Sequence, residues 1–320
     1  MAAWHSTRSV GPGEGIRAHC ASAAQGPLGH YPGSQSTHSR ASNRESDGVV
    51  YTYIEERKKQ GDLSHDLFSY LIQDSLSDSS HAGKGTDQDL VYNTELAVVA
   101  GSDTTATTLG CAQFFLAKNT AILKELRREI DAAVGVGKPL SHSALLSCQY
   151  LEGCVNESLR LCSPTPSGLP RETGSQGTII AETYIPPRST VSVHFYTVHR
   201  AKLSKRYIRF KTYTKELLWI WPQIPVIFRI PKRWSSRPDL IIRREAFVPF
   251  SIGPYSCVGK PFSIMELRLL LATIVKNFDL EFPPGDEPES LERIGATGPQ
   301  DCFVARIPSF YLIFKARAKE

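Results

Sequence analysis

A cysteine loop bounded by glycines, running directly into a long apolar helix, constrains this chain more than any other feature. Residues 250–260 read Phe250-Ser-Ile-Gly253-Pro-Tyr-Ser-Cys257-Val-Gly259-Lys260. From Lys260 to about Phe278, Leu267, Leu269, Leu270, Leu271, Ile274 and Val275 make a helix apolar on most sides, which predicts that it is buried. Gly253 and Gly259 permit tight, left-handed turns and the close approach of a planar ligand. The helix N-terminus offers a dipole and free N–H groups that favour a thiolate at Cys257, and a thiolate there is suited to hold iron. On position alone, Cys257 also reads as a buried structural residue, because free cysteine behaves as a small hydrophobe. A phosphate loop does not fit: five residues rather than four separate Gly253 from Gly259, and Pro261 stands where a serine or threonine would hold magnesium.

The chain has 320 residues, 41% of them hydrophobic, enough for one large domain or two modest ones. Its 37 basic and 32 acidic residues leave a net charge of +5, too mild to argue for nucleic acid as a partner. Seven cysteines, at 20, 111, 148, 154, 162, 257 and 302, form no CxxC pair. They fit neither a disulfide framework nor a zinc site, and a reducing environment is the simplest reading. No run of 18 or more apolar residues occurs and the first 30 residues lack the apolar core of a signal peptide, so no membrane span is expected.

Residues 1–48 are rich in Gly, Ser, Ala, His and Arg, show no helical or strand periodicity, and are expected to be disordered or to come from a mistaken gene start. Tyr51 to Ser75 predicts two short helices, followed by a polar linker through Gly85. A long helix from about Asp87 to Lys118 follows, with Thr86 as N-cap. Ala121–Val134 is an amphipathic helix stopped by Gly135, and Tyr150–Cys162 another, with Leu151, Val155 and Leu159 on one stripe. Gly177–Val193 reads as a β-hairpin with Pro186-Pro187 in its turn, and Phe310–Phe314 as a strand. The fold class is mainly α with a minor β part.

Three further motifs carry information in combination. Ala100-Gly101-Ser102-Asp103-Thr104-Thr105 lies within the long helix, where five threonines between positions 94 and 108 lower helix propensity. Alone, it reads equally well as a helix whose small residues allow close packing. Glu157 and Arg160 share a helix face at i, i+3 spacing, an ordinary surface pair by itself. Pro231-Lys-Arg233-Trp234 follows later.

The cysteine segment resembles the haem-binding signature of the cytochrome P450 family, and fungal members look especially similar. The resemblance covers roughly residues 49–320, with the motifs in the family's order. It implies the C-terminal portion of the P450 fold, with haem b (iron protoporphyrin IX) held by Cys257 as axial iron ligand and Phe250, Gly253 and Gly259 shaping the loop. By the same resemblance Gly101 lets the oxygen-activating helix approach the haem, the Thr104 hydroxyl distorts the helix's hydrogen bonding, and Asp103 and Thr104 relay protons, with Thr105 a supporting neighbour. Glu157, Arg160 and Arg233 form a buried structural network, although Lys232 departs from the usual glutamate. Arg171, after the Pro-rich turn, sits where relatives bind a haem propionate, whereas Tyr255 replaces an arginine or histidine that would contact another.

The implied activity is that of a haem-thiolate monooxygenase of secondary metabolism. It would insert one atom of O2 into a small apolar organic substrate, with electrons from an NADPH-cytochrome P450 reductase. The alternative is a truncated, non-catalytic fragment, because the family's membrane anchor, the helices over the distal pocket, and one further propionate-binding helix have no counterpart here. Relatives usually sit on the endoplasmic reticulum by the anchor helix, so the localisation of this chain stays open. Residues 201–230 form an atypical insert, first basic and then apolar, which reads as translated intron or as a surface-lying membrane segment.

Overall fold

Helical periodicity in this sequence turns into helices wherever one stripe can be buried against a neighbour. The computed structural model describes residues 3–9, 16–21, 51–59, 66–76, 87–135, 138–200, 231–241, 244–288, 291 and 299–317. These divide into two units, residues 22–103 and residues 2–21 with 104–320.

In the first unit, residues 51–59 (α1) and Leu67–Leu76 (α2) are the two short helices expected. Ile54 is buried with Leu90 and Val91, and Leu71 and Ile72 pack on them. Arg57 Nη2 donates to both carboxylate oxygens of Asp66 at 2.8 Å, and Asp66 Oδ1 accepts from the Ser69 N–H, so one carboxylate joins α1 to the start of α2. The linker through Gly85 and the Thr86 cap lie outside the described residues. The long helix α3 (Asp87–Lys118) begins in this unit and ends in the other.

In the second unit α3 is followed by α4 (Thr120–Val134), α5 (His142–Leu145), α6 (Gln149–Leu161), α7 (Phe195–Arg200) and α8 (Lys260–Asn277). Ile122, Leu123, Leu126, Ile130 and Val134 bury one stripe of α4, whose polar remainder faces water. Gly135, at φ +74°, ends it as expected, its N–H returning to Asp131 O at 3.0 Å. Against α4 pack Leu151, Val155 and Leu159 of α6 and Leu267, Leu271 and Val275 of α8. Phe114 adds edge-on ring contacts to Phe115, Phe282 and Phe310 at 5.3–5.5 Å. The helix α8 is buried along one side only: Leu270 is exposed, as is Phe262 in its first turn. The apolar run there exceeds what the core covers.

The β part is small and antiparallel. One sheet runs β1 (Ala3–Ser9), β2 (Ile16–Ala21), β10 (Phe310–Ala316), β7 (Phe278–Glu281), with Ala18 opposite Leu312 and Leu280 opposite Phe314. Strands at 3–9 and 16–21 were not expected. Backbone groups pair β2 along the edge of β10 and β1 along β2, a demand that side-chain periodicity does not announce. The rest of 1–48, and the 201–230 insert, lie outside the described residues.

Two-stranded pairs complete the unit: β3 (Arg171–Glu172) with β6 (Thr190–Val191), β4 (Thr178–Ile180) with β5 (Thr183–Ile185), and β8 (Gln300–Cys302) with β9 (Val304–Arg306). The hairpin turn is Ala181-Glu182, at φ +47° and +63°, and not Pro186-Pro187. The prolines instead lead from β5 to β6, where Pro186 O accepts from Thr173 Oγ1 at 2.6 Å. Proline fixes φ near −65° and cannot supply the left-handed pair that a two-residue hairpin needs. Among the described residues, no helix is long and apolar enough to cross a membrane.

Candidate functional site

The cysteine loop is held at both ends by its own backbone. The Cys257 N–H donates to Phe250 O at 2.8 Å, Ser256 N–H to Gly253 O at 3.0 Å, and Ser251 N–H to Val248 O at 2.9 Å. At the far end Cys257 O accepts from Lys260 N–H at 3.3 Å, the first bond of α8. Gly253 is left-handed at φ +76°, as the sequence predicts. Gly259 is not: it sits in ordinary helical geometry at φ −75°. A Cβ on Gly259 would lie 3.7 Å from Cys257 Sγ, so its contribution is open space beside the sulfur rather than backbone freedom.

The Cys257 thiol is exposed. The buried structural reading of this residue therefore fails, whereas it describes Cys111, Cys148, Cys154 and Cys162. Burial pushes the Cys148 thiol up to about 11, and Cys154 well above the usual range. Neither can serve as a thiolate near neutral pH. Around Cys257 the surface is apolar as well as open: Ile252, Val258 and Phe262 are exposed, Val258 almost completely at 97%. Phe250 packs its ring on the core, with Lys260 Nζ 5.9 Å from the ring centre. A thiol at a helix start, flanked by apolar side chains and small residues, fits a flat apolar group with a thiolate-seeking iron at its centre.

Behind this loop lies the expected charge network. Glu157 is fully buried on α6, and its carboxylate accepts from Arg160 Nη2 at 2.7 Å and from Trp234 Nε1 at 3.2 Å. Arg233 Nε lies 2.6 Å from Glu157 Oε1, an ion pair without hydrogen-bond alignment. Burial lowers the Arg233 pKa, Glu157 raises it and Arg160 lowers it. Lys232, the departure from the usual glutamate, is exposed and pairs with Glu125 on α4 at 3.3 Å. The turn Pro231–Trp234 sits close to α6 because Gly153 faces it: a Cβ there would fall 2.4 Å from Pro231 O. Gly153 was not picked out from sequence, where a helical glycine signals only low propensity.

Arg171 is half-buried at the start of β3, and its guanidinium stands 5.1 Å over the ring of Tyr255. The structure thus brings Arg171 to the cysteine loop. Its Nη1 donates to Pro170 O at 2.9 Å.

The threonine-rich part of α3 runs as continuous helix. Thr104 O accepts from Thr108 Oγ1 at 2.9 Å in addition to its place in the helix. Thr105 Oγ1 lies 3.1 Å from Ser263 Oγ in the first turn of α8, and Thr107 Oγ1 donates to Ala305 O at 3.2 Å. These hydroxyls bond to other elements, which offsets the low propensity of threonine in a helix. Gly101 and Asp103 belong to the first unit, and a Cβ on Gly101 would meet nothing within 4 Å.

The helix α8 is tied to its neighbours at its middle and just past its end. Arg268 Nε donates to Glu152 on α6 at 2.9 Å, and Arg127 on α4 pairs with Asp279 at 2.7 Å and donates to Phe278 O at 3.0 Å.

Known proteins with this pattern are numerous. The cytochrome P450 sequence profile matches residues 24–203 and 220–302, skipping 204–219 within the atypical insert. Among curated relatives, the cytochrome P450 monooxygenase nodW of Hypoxylon pulicicidum is 40% identical over 266 residues, 83% of this chain and 44% of the relative. The cytochrome P450 monooxygenase sthD of Phaeosphaeria nodorum is 36% identical over 68% of this chain and 41% of its own length. The tryprostatin B 6-hydroxylase of Aspergillus fumigatus is 36% identical over 62% of this chain and 32% of its own. The chain thus spans less than half the length of these relatives. With an exposed cysteine at the head of α8, a buried Glu157–Arg160–Arg233 cluster behind it and a matching profile over most of its length, the chain belongs to the cytochrome P450 family.

Proposed function

We propose that the protein is a haem-thiolate monooxygenase. In this reading residues 49–320 form the P450 domain, which takes electrons from an NADPH-cytochrome P450 reductase and acts on a small apolar organic substrate of secondary metabolism. The observation that carries it is the exposed Cys257 thiol, held by backbone bonds at the start of α8 while the other described cysteines of the core are buried.

Haem b bound here would supply thiolate-assisted O–O cleavage. Cys257 Sγ would hold the haem iron, favoured as a thiolate by the α8 N-terminus. Ile252, Val258 and Phe262 would exclude water from the face of the ring. Arg171, steadied over Tyr255, would neutralise a propionate, and Phe250 would hold the loop on the core. By the family resemblance, Gly101 would leave room on α3 for the ring. Asp103, through its carboxyl, and Thr104, through its hydroxyl, would hold and relay protons, a task suited to a carboxylate and a hydroxyl linked by water.

Haem titration followed by a reduced, carbon-monoxide spectrum tests this reading. The purified chain is expected to show the Soret band of thiolate ligation, and Cys257→Ala to lose it. Thr104→Ala should keep the band but, with reductase, divert NADPH-driven oxygen consumption into hydrogen peroxide. Absence of the thiolate band in the haem-loaded chain overturns the proposal in favour of a non-catalytic member of the family.

A further inference from the structure

His199 is a buried imidazole that none of the roles above uses. It sits at the end of α7, 7% exposed, stacked on Phe195 at 5.6 Å and tilted against Phe247 at 5.3 Å. Its Nε2 accepts the Val248 N–H at 3.1 Å. The proton of the neutral ring is therefore on Nδ1, which is buried and has no hydrogen-bond partner among the described residues. Burial, and then the nearby Arg160 charge, lower its pKa to about 4 and keep the ring neutral at physiological pH.

Each side of this contact leads to a different part of the site. On one side α7 is fastened to α6: Arg160 Nη1 donates to His199 O at 3.4 Å and Arg200 Nε to Leu161 O at 3.1 Å. On the other side the chain runs from Val248 directly into the cysteine loop, through Ser251 N–H to Val248 O and Cys257 N–H to Phe250 O. Phe247 rests on Trp234 at 4.4 Å, and Trp234 donates to Glu157.

We propose that His199 is a positioning residue that ties the lead-in of the cysteine loop, at Val248, to the Glu157–Arg160–Arg233 cluster on α6. A phenylalanine would fill the same aromatic stack without an orphaned donor. It could not accept the Val248 N–H, and that bond is what the histidine adds. The structural part of the inference stands independently of haem; only its spectroscopic consequence rests on the function proposed above.

Amide exchange on the full chain tests it, comparing wild type with His199→Phe and His199→Leu, which lack an acceptor, and with His199→Gln, which keeps one. Losing the bond is expected to speed exchange in peptides covering residues 247–257 on the order of tenfold, with α4 unchanged, and Gln to restore protection in part. In the haem-loaded chain the Phe variant should keep its haem but show a smaller share of the thiolate band. Unchanged exchange in 247–257 for Phe and Leu, or Gln behaving as they do, overturns the proposal. Unfolding of Phe and Leu with a folded Gln supports it, and unfolding of all three overturns it by making the ring itself the requirement. A wild-type chain without the thiolate band sinks the proposed function but leaves the exchange comparison to decide the role of His199.

Discussion

At the scale of single residues, the arrangement behind the cysteine loop depends on one carboxylate and one missing side chain. Glu157 is buried between Arg160 and Arg233, so its removal leaves two guanidinium groups facing each other in a desolvated site. Replacing it with glutamine should lower stability by about 3–5 kcal/mol, read as a shift in the urea midpoint. An unchanged midpoint would show that the cluster is solvated in solution. Gly153→Ala sets two effects against each other. Alanine favours a helix by about 1 kcal/mol, but its Cβ would sit 2.4 Å from Pro231 O, where forcing backbone apart typically costs about 1–3 kcal/mol. The clash is with backbone and cannot rotate away, so net destabilisation is expected, and a gain in stability would contradict the close approach. Glu157 and Arg160 were legible because i, i+3 spacing places them on one face. Gly153 and His199 were not, since each is explained by a partner far along the chain, at Pro231 and Val248, that no local pattern names.

At the scale of elements, legibility followed how local the determinants are. The helices α4 and α6 were found within a residue or so of their ends because one stripe of each is apolar, and Gly135 stops α4. The β4–β5 turn was placed wrongly because Ala181 and Glu182 carry no turn signal, while the prolines nearby do. That error yields a prediction. Glu182 adopts φ +63°, a conformation that glycine reaches without strain, so Glu182→Gly should stabilise the chain by about 0.5–1 kcal/mol. The measurement is the thermal or urea midpoint, and a loss of stability would mean that Glu182 makes contacts worth more than its strain. The apolar breadth of α8 misled in the other direction: its sequence implied burial on most sides, yet its first turn, next to Cys257, stays exposed. An exposed apolar helix start beside a thiol is where local burial and the needs of a flat ligand part company.

At the scale of the whole molecule, the buried His199 couples the fold to pH. In the unfolded chain its imidazole would titrate near the ordinary value of 6.5, whereas in the native chain burial and Arg160 hold it to about 4. Between these values the unfolded state binds a proton that the native state refuses, so native stability falls as pH drops from about 6.5 to 4 and is restored as pH rises. The expected loss is roughly 3 kcal/mol across that window. Glu266 in α8 works in the opposite sense, since burial raises its carboxyl and lowering the pH through its range favours the native state. The carboxylates of Asp66, lowered mainly by the Ser69 N–H, and Asp239, lowered mainly by Arg237, lose their contributions only below about 3.8, outside the histidine window. Urea unfolding at pH 7, 5.5 and 4.5 should therefore show a decline in wild type that is markedly shallower in His199→Gln, because Glu266 and both aspartates are common to the two chains. Parallel declines would mean that the imidazole takes up its proton equally in both states, and that the contact with Val248 opens in solution.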